Sequence, residues 1–178
     1  MATPYALPQE LLGTRIRLRP LLETDAGFIF TLVNDPAWLE FIGDRGVHNQ
    51  ADAQAFITQG PQAMYAKCGL GLLLVEQLVD NQPIGLCGLL QRDNLNIPDL
   101  GFAFLSEKRG QGFALEAAQI VLHYAFDELN LASMAAITAV YNPASQGLLK
   151  RLGFVFVSMH HMNEQDPGSH LYQLNKPS

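Results

Sequence analysis

Residues 106–117, SEKRGQGFALEA, set two cations and two glycines between an apolar run and the start of a helical pattern. Glycine is costly at a helix start unless the backbone must turn tightly or something must approach it closely. Lys108, Arg109, Gly110 and Gly112 at the N-terminus of a helix form an anion cradle, because exposed N–H groups and the helix dipole converge on the loop. A phosphate carrier and a plain structural turn both fit at this point. Two nucleotide readings fail. A Walker A loop needs G-x-x-x-x-G-K-[ST], which is absent here. A dinucleotide fingerprint needs a third glycine where Leu115 stands, in a βαβ unit with an acidic strand end about 20 positions on.

The neighbouring periodicities say what positions this loop. PDLGFAFL (98–105) reads as the strand that enters it, and 112–129 as the helix that leaves it, with Glu116, Gln119, His123 and Asp127 in one narrow polar stripe. Before them, 69–78 and 84–92 read as an antiparallel hairpin around the turn 79–83. TRIRLR (14–19) alternates as a half-buried strand, and a helix runs from Glu23 to about Val33, closed by NDP at 34–36. A second helix spans about 51–67, with Asn49 as N-cap, Asp52 in a capping position and a break at Gly60-Pro61. After the loop, 134–140 is a strand, and Asn142 (N-cap), Pro143 (N1), Lys150, Arg151 and Gly153 (C′) delimit a short helix. Two strands, 154–159 and 170–174, finish the chain as a pair. This order predicts a mixed α/β (α+β) sheet, mostly antiparallel, in which the crossover from 98–105 to 134–140 requires one parallel pair.

Composition narrows the function classes. The chain has 178 residues, 48% hydrophobic and 16% charged, with net charge −6, enough for one domain with a real core. An acidic balance argues against non-specific nucleic-acid binding. No signal peptide is evident, and no apolar run approaches the ~20 residues of a membrane span, so a cytoplasmic protein without membrane partners is expected. Cys68 and Cys87 match no metal or redox spacing and read as buried thiols. HHMNEQD (160–166) likewise has no recognised ligand spacing, so no metal is expected.

Arg109-Gly110-Gln111-Gly112-Phe113-Ala114 resembles the Q/R-x-x-G-x-G/A loop of the GNAT superfamily of N-acetyltransferases, which holds the pyrophosphate of coenzyme A on backbone amides. The flanks agree. DLGFAFLSEKRGQGFALEA is similar to the E-I-G-Y…G-K-G-x-A-x-E-A segment of the branch that acetylates ribosomal-protein N-termini. NPASQGLLKRLGF (142–154) resembles its N-x-x-S signature, and 41–57 its substrate-side helix. The resemblance covers about 12–175 and implies a single GNAT domain over 1–178, with two central parallel strands splayed around the cofactor's pantetheine arm.

The resemblance also implies site residues. Phe104 and Leu105 would offer backbone groups to pantetheine, with an N–H near Phe104 polarising the thioester carbonyl. Arg109, Gly110, Gln111, Gly112, Phe113 and Ala114 would bind acetyl-CoA, together with Asn142 and Ser145. Ser145 matches the donor to the coenzyme A sulfur, and Leu149 stands where many members carry an acid Tyr. Asp99 matches a family Glu position and is a candidate base, with solvent-facing placement as its alternative. Glu116 reads as support for the loop. Trp38 and Phe41 read as core aromatics or as walls of an acceptor pocket. The expected activity is acetyl-CoA-dependent transfer to a primary amine in a ternary complex, a protein N-terminus first and a small-molecule amine (aminoglycoside, polyamine or amino-acid derivative) second. A non-catalytic acyl-CoA-binding module is the alternative of another class. Monomer and homodimer both remain open.

Overall fold

Alternation in TRIRLR becomes a strand, β2 (Ile16–Pro20), whose Ile16 and Leu18 are fully buried while Arg17 and Arg19 point to the other face. Those arginines enclose a carboxylate. Glu76 is buried on β3 (Gly71–Gln77), where Arg17 Nε meets it at 2.6 Å and Arg19 Nη2 at 2.7 Å. Arg19 also holds Asp25 through both guanidinium Nη atoms at 2.9 Å. A buried charge is tolerated only when paired in this way, and the network fixes β2 to β3 and to the following helix.

The structure, a computed structural model, describes residues 4–161 and 163–178. β1 (Leu11–Leu12), β2, β3, β4 (Pro83–Leu90) and β5 (Asp99–Phe104) pair antiparallel in sequence order. β5 then pairs in parallel with β6 (Ser133–Ala139), and β8 (Ser169–Asn175) and β7 (Val155–His160) complete an eight-stranded sheet in the order β1-β2-β3-β4-β5-β6-β8-β7. Helix α5 (Phe113–His123) packs Ala117, Ala118 and Val121 on one face, against Leu73, Val75 and Leu100. The opposite face carries α1 (Ala26–Val33), α2 (Pro36–Phe41) and α3 (Gln50–Gln59), whose Ile29, Trp38 and Ile57 meet Leu74 and Leu86. Strand alternation thus gives β5 two faces: Leu100, Phe102 and Phe104 toward α5, and Asp99, Gly101 and Ala103 toward α1–α3.

Three local outcomes refine the sequence reading. The helix expected over 51–67 divides at Gly60 into α3 and α4 (Pro61–Cys68), because Pro61 has no N–H to give the preceding turn; Asn49 Oδ1 caps α3 on the Asp52 N–H at 2.9 Å. The NDP segment ends one helix but also starts another: Asp35 Oδ1 accepts from Ala37 N–H at 3.0 Å and Pro36 occupies N1 of α2. The helix expected over 112–129 is α5 followed by a π turn, Tyr124–Glu128. Cys68 and Cys87 are both buried free thiols. Among the described residues no helix is long and apolar enough to cross a membrane.

Candidate functional site at the parting of two parallel strands

β5 and β6 are bridged only at Asp99–Ala135, where the Ala135 N–H donates to Pro98 O at 2.9 Å. Beyond that point the strands part. Leu105 N–H donates to Ile84 O at 3.0 Å, toward β4, so the N–H and C=O groups of Phe104 point the other way, into the gap. Phe102 shares that orientation by alternation. Arg109 closes one side of the gap by donating from Nε and Nη2 to Phe104 O at 3.3 and 3.2 Å. A continuous groove of about 870 Å³ runs through this parting, lined by Asp99, Phe104, the 109–114 loop and the start of α6 (Pro143–Arg151).

Gly110 and Gly112 both have left-handed φ, +69° and +83°, as the turn into α5 requires. A side chain at Gly110 would stand in open space, so the cradle is clear for a ligand. At Gly112 a Cβ would come within 3.2 Å of Arg15 Nη2. No local sequence signal marks Arg15, yet it braces the loop. It donates to Gln111 O at 2.8 Å and to Glu116 Oε2 at 2.8 Å, and its guanidinium lies 4.4 Å from the Phe113 ring centroid. Glu116 also accepts the Thr14 and Arg15 amides; burial works to raise its pKa, but these donors hold it below the ordinary value. The expected support role of Glu116 is therefore exerted through Arg15.

At the other wall, Asn142 Oδ1 caps α6 by accepting from the Ser145 N–H at 3.2 Å, while its Nδ2 donates to Ser145 Oγ at 3.0 Å. That second bond fills an acceptor position on the hydroxyl and leaves its proton free to point elsewhere. Leu149 is fully buried in the core behind it. Asp99 does not face solvent: it is 1% exposed, it lines the groove, and Arg92 Nε donates to it at 2.9 Å. Burial raises its pKa, opposed by the charge and hydrogen bond of Arg92 and by the nearby His160.

Asp99, Phe104, Arg109, Gly110, Gly112, Phe113, Ala114, Asn142 and Ser145 thus converge on one groove. Two of the expected residues lie off it. Leu105 spends its N–H on Ile84 O and packs its side chain against the α1–α3 core, and Gln111 turns outward, its Nε2 donating to Glu107 O at 3.0 Å. Trp38 serves as both core and groove wall, whereas Phe41 lines the groove and lies outside the core clusters. Thr138, on β6, lines the gap with a buried Oγ1 that has no partner among the described residues, and Tyr141, two residues beyond β6, sets its ring 5.8 Å from that of the groove-lining Phe41 and donates its hydroxyl to Glu40 O at 3.0 Å. Neither carried a local sequence signal. Asp35 did, as a residue before Pro, but its second role is long-range: it also accepts from Ser106 N–H at 3.0 Å and Ser106 Oγ at 2.6 Å.

Comparison with known proteins agrees with this geometry. The acetyltransferase (GNAT) domain family matches residues 15–155. The chain is 28% identical over 147 residues to the protein YkkB of Bacillus subtilis strain 168, covering 81% of this chain and 84% of that one. Among solved structures, the ribosomal-protein-S5-alanine acetyltransferase of Vibrio fischeri superposes with a TM-score of 0.76 at 17% identity, covering 94% and 96% of the two chains. A spermidine N-acetyltransferase chimera from Vibrio cholerae and hSSAT does so with a TM-score of 0.74 at 20% identity, covering 92% and 96%. Likeness at that level carries the fold and leaves the acceptor open. The family match spans most of the chain, on a sheet whose one parallel pair parts beside a glycine loop, and this chain belongs to the GNAT acetyltransferase family.

Proposed function

We propose that this protein transfers an acetyl group from acetyl-CoA to a primary amine by direct attack within a ternary complex, with a protein N-terminus as the first acceptor. The observation that carries the reading is the unpaired length of β5 and β6 beyond Asp99–Ala135, set beside the glycine loop at the N-terminus of α5. The residues fit the cofactor. The open space at Gly110 suits a pyrophosphate, and the gap-facing backbone of Phe102 and Phe104 and the unpartnered Thr138 Oγ1 suit an arm rich in amides. When bound, acetyl-CoA supplies an activated thioester and a thiolate leaving group.

The chain's own groups supply the rest. The Phe104 N–H, directed into the gap, would face the thioester oxygen and stabilise negative charge there. Ser145, oriented by Asn142, would hold a proton for the departing sulfur. Asp99, at the closed end of the gap and about 16 Å along β5 from the Phe104 N–H, would take the proton of the amine through a relay of waters. Cys68 also lines the groove, but its thiol is buried and donates to Met64 O at 3.4 Å, so it is not a carrier of the acyl group.

The test is a panel of N-terminal peptides and small amines with acetyl-CoA, read as free thiol, beside thermal melts with and without cofactor. Thiol release that depends on the amine is expected. A thermal shift without release for any amine would leave an acyl-CoA-binding module; no shift would overturn the cofactor assignment.

A further inference from the structure

An amine that reaches Asp99 from the α2–α4 side passes walls made of donors. Arg45, Lys67 and Arg92 line this half of the groove, with Gln59 and Gln91 among them. The indole N–H of Trp38, a residue only 5% exposed that also lines it, has no hydrogen-bond partner among the described residues. The carboxylates run the other way. Asp99 is the one acidic residue lining the groove among the described residues, and Arg92 already engages it at 2.9 Å. Asp44 on the adjacent loop turns back on the Gly46 N–H at 2.7 Å. Asp93 is fully exposed and 3.8 Å from Lys67. Arg45 has no ion-pair partner among the described residues.

A ligand with several ammonium groups needs a carboxylate for each one beyond the amine that reacts, and this half has none to spare. Like charges facing each other also select against it. We infer that the groove takes a primary amine that also carries a carboxylate. Its amine goes to Asp99, its carboxylate to Arg45, and a ligand oxygen accepts the Trp38 indole N–H; Phe41, Phe56 and Met64 line the groove for its apolar carbons. The inference rests on the reading of this groove as an amine-acetylation site, and it removes polyamines and aminoglycosides from the acceptors open to it. A free amino acid and a peptide N-terminus followed by an acidic residue share the required chemistry.

Trp38 is the only tryptophan in the chain, so its fluorescence reports occupancy of this half without any turnover. The full-length protein, saturated with coenzyme A, is titrated with phenylalanine against phenylalanine amide, with C-amidated Ala-Asp against Ala-Asn, and with spermidine. The same amines are run with acetyl-CoA for thiol release. Each carboxylate-bearing ligand is expected to bind at least tenfold more tightly than its uncharged counterpart. Comparison of the two pairs tells a free amino acid from a peptide end. The preference should disappear in Arg45→Gln, whose thermal shift with acetyl-CoA shows that it is folded and loaded. Equal binding within both pairs, or tightest binding of spermidine, overturns the inference while leaving acetyl transfer intact. A preserved preference with no thiol release from any amine upholds the inference and overturns the transfer reading instead.

Discussion

The two halves of the groove are built from different materials. The half proposed for the cofactor is mostly backbone: the parted edges of β5 and β6, the left-handed glycines of the loop and the first turn of α5. The acceptor half is mostly side chain, gathered from α2, α3, α4 and the strand ends around Arg92 and Asp99. Backbone chemistry needs special conformations, and those demand particular residues at fixed spacing. Side-chain chemistry needs only the right group at the right place in space, and many sequences deliver it.

The contrast predicts that the cofactor half breaks outright under a single backbone-level change. Gly112→Trp puts a bulky side chain at φ +83° and against Arg15 Nη2. The native protein at 100-fold excess of acetyl-CoA over Kd should gain about 2.7 kcal/mol, or roughly 5–10 °C in Tm. The variant should show no shift although it retains a cooperative melt, and a preserved shift would detach the cofactor from the loop. Ser145→Ala is next in size. General acid catalysis contributes about 10²-fold or more, so kcat should fall by that order while the thermal shift with acetyl-CoA stays. Unchanged turnover would take the proton-donor role from Ser145.

Legibility in the sequence divides along the same line. The loop, its strand and its helix lie within 98–123, and Asn142 with Ser145 lie within one turn of a capped helix, so short-range spacing and the resemblance both reached them. The one parallel pair followed, because the 98–105 to 134–140 crossover admits no other, whereas the place of β8 between β6 and β7 carries no local signal. Arg15 escaped because its role is defined by Glu116, 101 residues away, and nothing in an alternating strand separates it from Arg17. The long-range role of Asp35 is hidden for a similar reason: NDP reads as the end of one helix, though Asp35 also caps the next and reaches Ser106, 71 positions on. The family pattern points to the end of β5, Leu105 included, whereas the actual alternation turns the Leu105 N–H to β4.

Asp35 is where the two halves meet, and it gives a smaller, shared effect. It caps α2, which carries Trp38, and holds Ser106, which leads into the loop. Burial pushes its pKa up, but the Ser106 hydroxyl and amide and the Ala37 amide outweigh that and hold it below the ordinary value. Its stabilisation is therefore present above the ordinary carboxylate range and lost as pH falls through the lowered pKa. Asp35→Ala should cost about 1 kcal/mol, or a few degrees in Tm, and raise the KM of both substrates severalfold. A change in only one KM would mean that the halves are positioned independently.

The finest test changes a pH profile rather than a rate. In Asp99 two influences compete: burial favours the neutral acid, and the guanidinium of Arg92, helped by His160, favours the carboxylate. A base must be ionised, so the acid limb of kcat/KM should lie above the ordinary carboxylate range. Arg92→Gln removes the main opposing charge and lets burial prevail. The limb should then move to higher pH, with activity recovering toward the native plateau once Asp99 ionises. Stability carries the same sign. An acid with a raised pKa in the fold favours the native state at low pH, and that advantage is lost as pH rises from the unfolded to the folded pKa. In Arg92→Gln the loss should extend to higher pH, visible in Tm measured across the titration, and Asp99→Asn should abolish it. If the limb stays where it is in Arg92→Gln, another group takes the proton, and Asp99 is only the counter-ion that keeps Arg92 at the groove wall.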